Sequence, residues 1–299
     1  MEVAILSVPY HLDRHGDGTG SGPARLLEAG VAVTLTDAGH TVRAAESVTL
    51  ERSAGNETGN IFELARGLAA AVRDARASGA MPLVLAGDCN NVIGVVSGCS
   101  EGVDDLGIVW LDAHGDAHTP ETSGSGFFDG MPLAAVLGWC WSALAKSVPG
   151  FEALEPGDVV HLGGRAFDEN EREPMEASGI AVFDASAMRA DGGQARVAEA
   201  LERLAARKQR IHVHLDLDVI DRADGVASGH AVDGGPSLEL IEAALATLGA
   251  TGRISSATIC SYDPSFDTDG RAAAAGIRLL GALATHWTQG LTPASPRPA

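Results

Sequence analysis

The sequence predicts an α/β fold, in which a mostly parallel sheet lies between two layers of helices in a single three-layer α/β/α domain. Two observations support this prediction. Short apolar runs rich in β-branched residues alternate along the chain with Ala-rich stretches whose apolar residues recur at helical spacing. That alternation is typical of parallel sheets covered by helices on both faces. No linker rich in Pro, Gly or Ser divides residues 1–289, so we expect them to form one domain.

The elements follow from these patterns in chain order. Residues 3–8 predict the first strand, and residues 61–77 predict a helix because Leu64, Leu68 and Val72 lie near helical spacing. The other strands are expected at residues 82–86, 107–111, 158–162, 179–183, 211–217 and 256–260. The other helices are expected at residues 91–98, 195–206 and 238–248. Residues 290–299 contain three prolines and are expected to form a disordered tail.

Composition limits the partners and the location of the protein. The formal net charge of −19 argues against binding to nucleic acid or to an anionic membrane surface. Four cysteines without a CxxC pair predict a reducing compartment rather than a disulfide framework. The N-terminus lacks a basic segment followed by an apolar one, and no apolar run approaches 18 residues. We therefore expect a cytoplasmic protein.

Two carboxylate-rich clusters follow strand-like apolar runs. They are Asp112-x-His114-x-Asp116 and Asp216-x-Asp218, and two solvated acidic turns are the alternative interpretation. Alternation would place the side chains of each cluster on one side of the chain if the backbone stays extended. Buried carboxylates at this density repel each other and need a cation, and oxygen ligands with an imidazole suit manganese-like ions. Two such ions can share a hydroxide that is nucleophilic at neutral pH, so the clusters predict metal-assisted hydrolysis.

Six segments, in the same order along the chain, resemble the ureohydrolase family and its arginase branch in particular. The resemblance covers residues 3–283, and its longest segment is residues 110–138, WLDAHGDAHTPETSGSGFFDGMPLAAVLG. The other segments are residues 22–26, 82–88, 163–165, 214–221 and 262–264. The resemblance implies the arginase-like fold, a homo-oligomer (trimer or hexamer), and a centre of two Mn²⁺ ions whose hydroxide attacks a guanidinium carbon.

The resemblance also implies which residues bind each metal. Asp112 and Asp216 match the bridging carboxylates of the family. His114 and Asp218 match ligands of the second metal, and Asp116 matches a ligand of the first.

Cys89 occupies the position of the family's histidine ligand to the first metal, directly after Gly87-Asp88. A thiolate is a soft ligand that suits zinc, iron or cobalt better than manganese. Cys89 is therefore expected either to bind such a metal or to fill the space of the histidine as a buried thiol. The second alternative would leave the first site weak.

Other residues of the resembling pocket depart from the arginase pattern. Asp129 stands where the arginase branch has a proton-shuttling histidine, and His118 and His230 stand where it has an asparagine and a threonine. We expect one of these three side chains to deliver a proton to the leaving amine, with Asp116 as a relay. Either histidine could instead be an ordinary polar residue. Ser261 replaces the glutamate that holds the substrate guanidinium.

The amino-acid end of the pocket resembles that of arginase. Ser125 matches a residue that contacts the substrate carboxylate, Asp168 matches the acid that meets the α-amino group, and Glu171 matches a second acid nearby. These matches imply a small-molecule α-amino acid as the substrate. The alternative is that Asp168 and Glu171 form an ordinary acidic helix start.

Ser261 cannot supply the negative charge that favours the permanently protonated guanidinium of arginine, whereas an N-hydroxylated guanidine is less basic and could bind as a neutral group. A cysteine at the histidine position also resembles ureohydrolases that cleave hydroxyarginine. We therefore expect a metal-dependent amidinohydrolase that cleaves L-arginine or, by preference, a modified arginine to urea or hydroxyurea and ornithine or its analogue. An inactive homologue that binds an amino acid or a partner subunit is one alternative. Hydrolysis of another guanidino or formimino acid is the other.

Overall fold

The structure is a computed structural model that describes residues 1–100 and 105–287. The tail predicted at residues 290–299 lies outside the described residues. The strands are β1 (Glu2–Val8), β2 (Tyr10–His11), β3 (Arg14–His15), β4 (Thr41–Ser47), β5 (Met81–Ala86), β6 (Leu106–Leu111), β7 (Val159–Leu162), β8 (Ala181–Phe183), β9 (Arg210–Asp216) and β10 (Ile254–Cys260). The helices are α1 (Gly22–Ala29), α2 (Val31–Asp37), α3 (Glu57–Ala77), α4 (Val92–Cys99), α5 (Pro132–Val136), α6 (Ser142–Ala145), α7 (Glu169–Ser178), α8 (Ala185–Arg189), α9 (Gly193–Arg207), α10 (Leu238–Ala250) and α11 (Arg271–Thr285).

The main sheet of the described residues has eight strands in the order β4-β1-β5-β10-β9-β6-β7-β8. Neighbouring strands in this sheet pair in parallel. The short strands β2 and β3 form a separate antiparallel hairpin. The predicted α/β fold with a parallel central sheet is therefore confirmed.

Apolar side chains cover both faces of the sheet. Successive residues of β5 alternate between the two faces, so that Leu83 and Leu85 join one buried cluster while Val84 and Ala86 join the other. Helices α1, α2 and α8 to α11 contribute to the first cluster, and α3 to α7 contribute to the second. Strands buried on both faces read as continuous apolar runs, which is why the sequence revealed them. Within the described chain, no helix combines the length and apolar character needed to cross a membrane.

Several predicted strand boundaries differ from the structure by one or two residues, and two of the differences have clear local causes. The strand expected at residues 179–183 begins at Ala181, because Gly179 ends α7 in a left-handed conformation with φ of 102°. The strand expected at residues 211–217 ends at Asp216, whose side chain accepts the N–H of Asp218 and starts a 3₁₀ turn.

The centre of the sheet brings the polar segments together. Strands β5, β10, β9 and β6 are consecutive neighbours, and because they are parallel their carboxyl ends lie at one edge. They lead into Cys89, Ser261, Asp216 and Asp112 in that order. This edge is where ligand sites form in open parallel sheets, so both predicted clusters lie where they were expected.

Gly87 lets three backbone segments meet beside this edge. Its N–H donates to the carbonyl of Val8 at 3.1 Å, and its carbonyl accepts the N–H of Ser261 at 2.9 Å. A Cβ atom at this position would overlap the carbonyl oxygen of Tyr10. The position therefore requires glycine for close approach.

We expect Gly87→Ala to lower the free energy of unfolding by about 1–3 kcal/mol, because the Tyr10 backbone must move to admit the methyl group. Urea unfolding followed by circular dichroism measures the effect. Gly124→Ala is the matched control, since a Cβ there would meet no heavy atom within 4 Å. Equal stability of the two variants would contradict the role given to Gly87.

Candidate metal centre and active site

A cavity of about 170 Å³ opens at the carboxyl edge of the sheet. It brings together most of the residues predicted to act. The cavity is lined by His11, Thr19, Asp88, His114, Asp116, His118, Phe127, Asp129, Gly130, Ala166, Asp168, Glu171, Asp216, Asp218, Ser228, His230 and Ser261. Cys89 and Asp112 are buried directly beneath this lining, where they contact Asp216 and His114.

The first carboxylate cluster lies in a turn rather than in an extended segment. β6 ends at Leu111, and the N–H of His114 donates to the Asp112 carboxylate at 2.7 Å. Asp116 has a φ of 51°, a left-handed conformation that is strained for a residue with a Cβ. The expectation of an extended backbone was therefore wrong, and the side chains converge through this turn instead.

The second cluster is tied directly to the first. The N–H of Asp218 donates to the Asp216 carboxylate at 2.7 Å, which repeats the pattern seen at Asp112. The Asp218 carboxylate in turn accepts the N–H of Ala113 at 3.1 Å. These bonds fix the two loops relative to each other through backbone donors.

Arg165 holds the loop after β9 in place. Its guanidinium donates to the carbonyl oxygens of Asp218 at 2.8 Å, Ile220 at 2.9 Å and Val232 at 2.8 Å. Its remaining Nη1 group donates to the carbonyl of Gly163 at 3.1 Å. The planar fork thus bridges several turns of backbone, which a lysine could not do.

The carboxylates in this cluster are held close together away from water. Burial, with Asp218 as the next cause, raises the pKa of Asp216 to about 8. Burial and the neighbouring Asp216 raise the pKa of Asp112, and burial and Asp112 hold the pKa of Asp116 well above its usual range. Each raised pKa means that the ionised carboxylate is unfavourable in this cluster unless a positive charge lies between the acids.

His114 partly meets this need in the absence of any other cation. Burial lowers its pKa, but its Nδ1 lies 3.5 Å from the Asp112 carboxylate and 3.0 Å from that of Asp218, and the net pKa is about 11. A divalent cation between the same groups would replace the proton and convert the imidazole into a neutral ligand.

Two overlapping donor sets could each hold a metal ion. Asp112, His114 and Asp218 place their ligand atoms within 4.8 Å of one another, and so do Cys89, Asp112 and Asp216. Because Asp112 belongs to both sets, two ions could lie side by side with this carboxylate shared. The oxygen and nitrogen donors of the first set fit a divalent cation of the manganese type. Asp116 lines the same cavity without belonging to either set.

Cys89 is almost fully buried, with 1% of its surface exposed. Its Sγ donates to the Asp216 carboxylate at 3.0 Å and lies 3.5 Å from Cys260 Sγ. Burial raises the pKa of the Cys89 thiol well above its ordinary value, so without a cation it is a neutral thiol. Its position allows both roles considered from the sequence, and its metal binding stays a prediction.

Two of the residues predicted to contact the substrate, Asp168 and Glu171, line the cavity near His118. Asp168 is 77% exposed, and its carboxylate contacts His118 Nε2 at 2.9 Å. Glu171 is buried and accepts the N–H of Ala117 at 2.9 Å. Asp168 and Glu171 also begin α7, which agrees with the interpretation as an acidic helix start. Ser125 is exposed on the preceding loop and does not line the cavity.

The candidates for proton transfer surround the metal sets. The His230 ring lies edge-on to the His114 ring at 6.3 Å between centroids and stacks on Phe127 at 5.8 Å. Asp129 accepts the N–H of Asn90 at 2.9 Å, and burial raises its pKa well above the usual range.

Sequence reasoning missed the His11, Thr19 and Asp88 group on the opposite wall. Asp88 Oδ1 accepts the Thr19 hydroxyl at 2.7 Å and lies 3.0 Å from His11 Nδ1, a contact that raises the pKa of His11. The available signal was positional, because Asp88 precedes Cys89 and His11 follows the first strand at its carboxyl end.

Comparisons with known proteins agree with this architecture. Residues 1–285 match the family model described as the Arginase family. The chain is 31% identical to an arginase from Bacillus caldovelox over 94% of this chain and 97% of that protein. The crystal structure of arginase from Bacillus subtilis has a TM-score of 0.86 at 31% identity and covers 95% of this chain and 98% of that one. A formimidoylglutamase from Bacillus subtilis shares the fold alone, at 15% identity and a TM-score of 0.77.

The raised pKa of Asp216 predicts that the stability of the metal-free protein depends on pH. Bound Mn²⁺ should reverse the direction of this dependence. In chelator-treated protein, the unfolded chain loses the Asp216 proton near pH 4 while the folded protein keeps it until about pH 8. Between these values the folded state binds more protons, so the contribution of Asp216 to the free energy of unfolding falls as pH rises. With Mn²⁺ bound, the ionised carboxylate is stabilised and the contribution rises with pH instead.

The measurement is urea unfolding of wild type and Asp216→Asn from pH 4 to 8, with EDTA or with Mn²⁺. We expect the wild-type advantage over Asp216→Asn to decrease by at least about 1.4 kcal/mol across this range in EDTA, the equivalent of one pKa unit. Asp37→Asn, at an exposed position, is the control and should show no such trend. If the difference in free energy of unfolding between wild type and Asp216→Asn does not change with pH in EDTA, the carboxylates do not repel each other as described.

Proposed function

This chain belongs to the arginase family and is an amidinohydrolase, and on that premise we propose that its preferred substrate is L-arginine hydroxylated on a terminal guanidino nitrogen. Water is added across the C–N bond to the side chain, which gives ornithine and hydroxyurea. Ordinary L-arginine, which would give ornithine and urea, is the second candidate.

The observation that carries this preference is Ser261. Its side chain lines the cavity and lies beside the metal donors, with Oγ 3.5 Å from Cys89 Sγ. A serine hydroxyl can hydrogen-bond to a neutral hydroxyguanidine, in which the oxygen withdraws electron density and lowers basicity. It cannot provide the charge-assisted, bidentate contact by which a carboxylate binds a guanidinium.

The other end of the cavity supports an α-amino acid substrate. Asp168 is exposed at the cavity mouth and is oriented by His118, so its carboxylate could accept hydrogen bonds from an α-ammonium group. A decarboxylated amine would lack the group that Asp168 recognises.

Two divalent cations would be held by the donor sets that share Asp112. When bound, they supply a nucleophile by acidifying a water molecule and polarise the guanidino carbon. The chain itself positions this chemistry through Arg165 and the backbone donors that fix the two loops. Manganese suits the oxygen and nitrogen set.

We assign delivery of a proton to the leaving amine to His230. Its ring lines the cavity beside His114, and within the described residues the ring stacks on Phe127 while the backbone N–H donates to Ser228 Oγ at 3.1 Å. His118, in contrast, is held by Asp168 and Thr122 and is better placed to orient the substrate.

Ser261→Glu tests the substrate preference. We expect wild type to hydrolyse N-hydroxy-L-arginine with a higher kcat/KM than L-arginine, and Ser261→Glu to shift the ratio toward arginine by at least about tenfold, because the added carboxylate pairs with the guanidinium. Ser261→Ala is the control that removes the hydroxyl without adding charge. Faster arginine hydrolysis by wild type would refute the hydroxyarginine preference, and absence of both activities in metal-loaded protein would favour an inactive homologue.

Steady-state kinetics of two histidine variants test the division of roles. We expect His230→Ala to lower kcat about 100-fold with KM little changed, since loss of a general acid acts on the chemical step. His118→Ala should mainly raise KM, because Asp168 loses its partner. The opposite pattern would exchange the roles of the two histidines.

A further inference from the structure

A third group of donors lies behind the carboxylate cluster. Cys89, Cys260 and His214 are all buried, and their ligand atoms lie within 4.8 Å of one another. We propose that these three side chains form a binding site for a thiophilic divalent cation of the zinc type. This proposal rests on the proposed function and extends it. One of the two metals would be bound by a sulfur-rich set of ligands.

The distances fit a tetrahedral cation. Cys89 Sγ and Cys260 Sγ are 3.5 Å apart, and Cys260 Sγ lies 3.5 Å from His214 Nε2. Around a tetrahedral zinc with ordinary bond lengths, two sulfurs would be about 3.8 Å apart and a sulfur and a nitrogen about 3.6 Å. Asp216 Oδ2 is 3.0 Å from Cys89 Sγ but does not belong to the set formed by Cys89, Cys260 and His214. The sulfur atoms are too far apart for a disulfide, which requires about 2.05 Å.

The His214 ring is buried and held in place by its surroundings. Its Nδ1 has no hydrogen-bond partner although none of its surface is exposed. The indole of Trp110 stacks on the ring at 3.8 Å between centroids and fixes its plane. Nε2 is the nitrogen that faces Cys260, so it is the atom that would bind the cation.

The strand register explains why these donors meet. β9 and β10 are parallel neighbours, with Thr258 opposite His214 and Cys260 opposite Asp216. Cys89 enters from the end of β5, on the other side of β10. The donors therefore belong to three adjacent strand ends and are held by the sheet rather than by a flexible loop.

The two halves of the centre differ in chemical softness. Asp112, His114 and Asp218 offer two oxygens and one nitrogen, which suit manganese. Cys89, Cys260 and His214 offer two sulfurs and one nitrogen, which suit zinc, cobalt or iron. The protein would then bind two different metals at adjacent positions.

Co²⁺ is the probe for this site, because it accepts tetrahedral sulfur and nitrogen ligands and absorbs light when a thiolate binds it. We expect wild type titrated with Co²⁺ to show a near-ultraviolet sulfur-to-cobalt charge-transfer band that falls to about half in Cys89→Ser and in Cys260→Ser. Zinc affinity in each variant should fall at least tenfold, since loss of even a supporting contact costs that much. Cys99→Ser is the matched control, because its buried thiol contacts Ser256 near the opposite end of β10.

X-ray absorption at the zinc edge of wild type tests the site without any variant. Two sulfur neighbours at about 2.3 Å are expected. No sulfur neighbour, or a cobalt band unaffected by Cys260→Ser, would overturn the proposal. Hydrolysis assays judge the proposed function separately: activity without a Cys260-dependent band refutes the thiolate site alone, and the band without activity on either arginine refutes the proposed function alone.

Discussion

Four carboxylates meet in one buried cluster: those of Asp112, Asp116, Asp216 and Asp218. Their mutual repulsion is the constraint that the surrounding structure must satisfy. The protein offsets part of this repulsion with backbone N–H groups, which donate to Asp112 and Asp216 in the same i to i+2 pattern. The nearby Arg165 directs its donors to carbonyl oxygens and so supports the backbone instead of neutralising the acids. A divalent cation bound there would displace the protons that the raised pKa values retain and would stabilise the ionised carboxylates.

The sheet and the metal loops were predictable because their causes are local. Strands buried on both faces give continuous apolar runs, and polar residues that follow them must lie at a strand end. The left-handed Asp116 was not predictable, since aspartate adopts this conformation rarely and only the packed turn holds it there. Helix α7 was anticipated only at its acidic start, as an alternative, because its charged residues and Pro174 obscure a helical pattern. The meeting of His214 with Cys260 follows from the register of β9 and β10, which no single segment contains.

Several departures from the arginase pattern lie at one end of the cavity, and they are expected to change binding there in the same way. Cys89 and Ser261 are adjacent, and both stand where the family has a residue of different charge or basicity. A neutral substrate group and a thiolate-bound cation both reduce the need for a carboxylate at this end. The outer end, with Asp168 and His118, keeps the charge that an amino acid requires.

The place of β10 determines when the centre can be completed during synthesis of the chain. β10 is the last strand in sequence, yet it lies between β5 and β9 in the middle of the sheet. Until the ribosome has released residue 260, no strand joins the half that carries Cys89 to the half that carries Asp112 and Asp216. The contact between Cys89 and Cys260 can therefore form only after this last strand has been inserted.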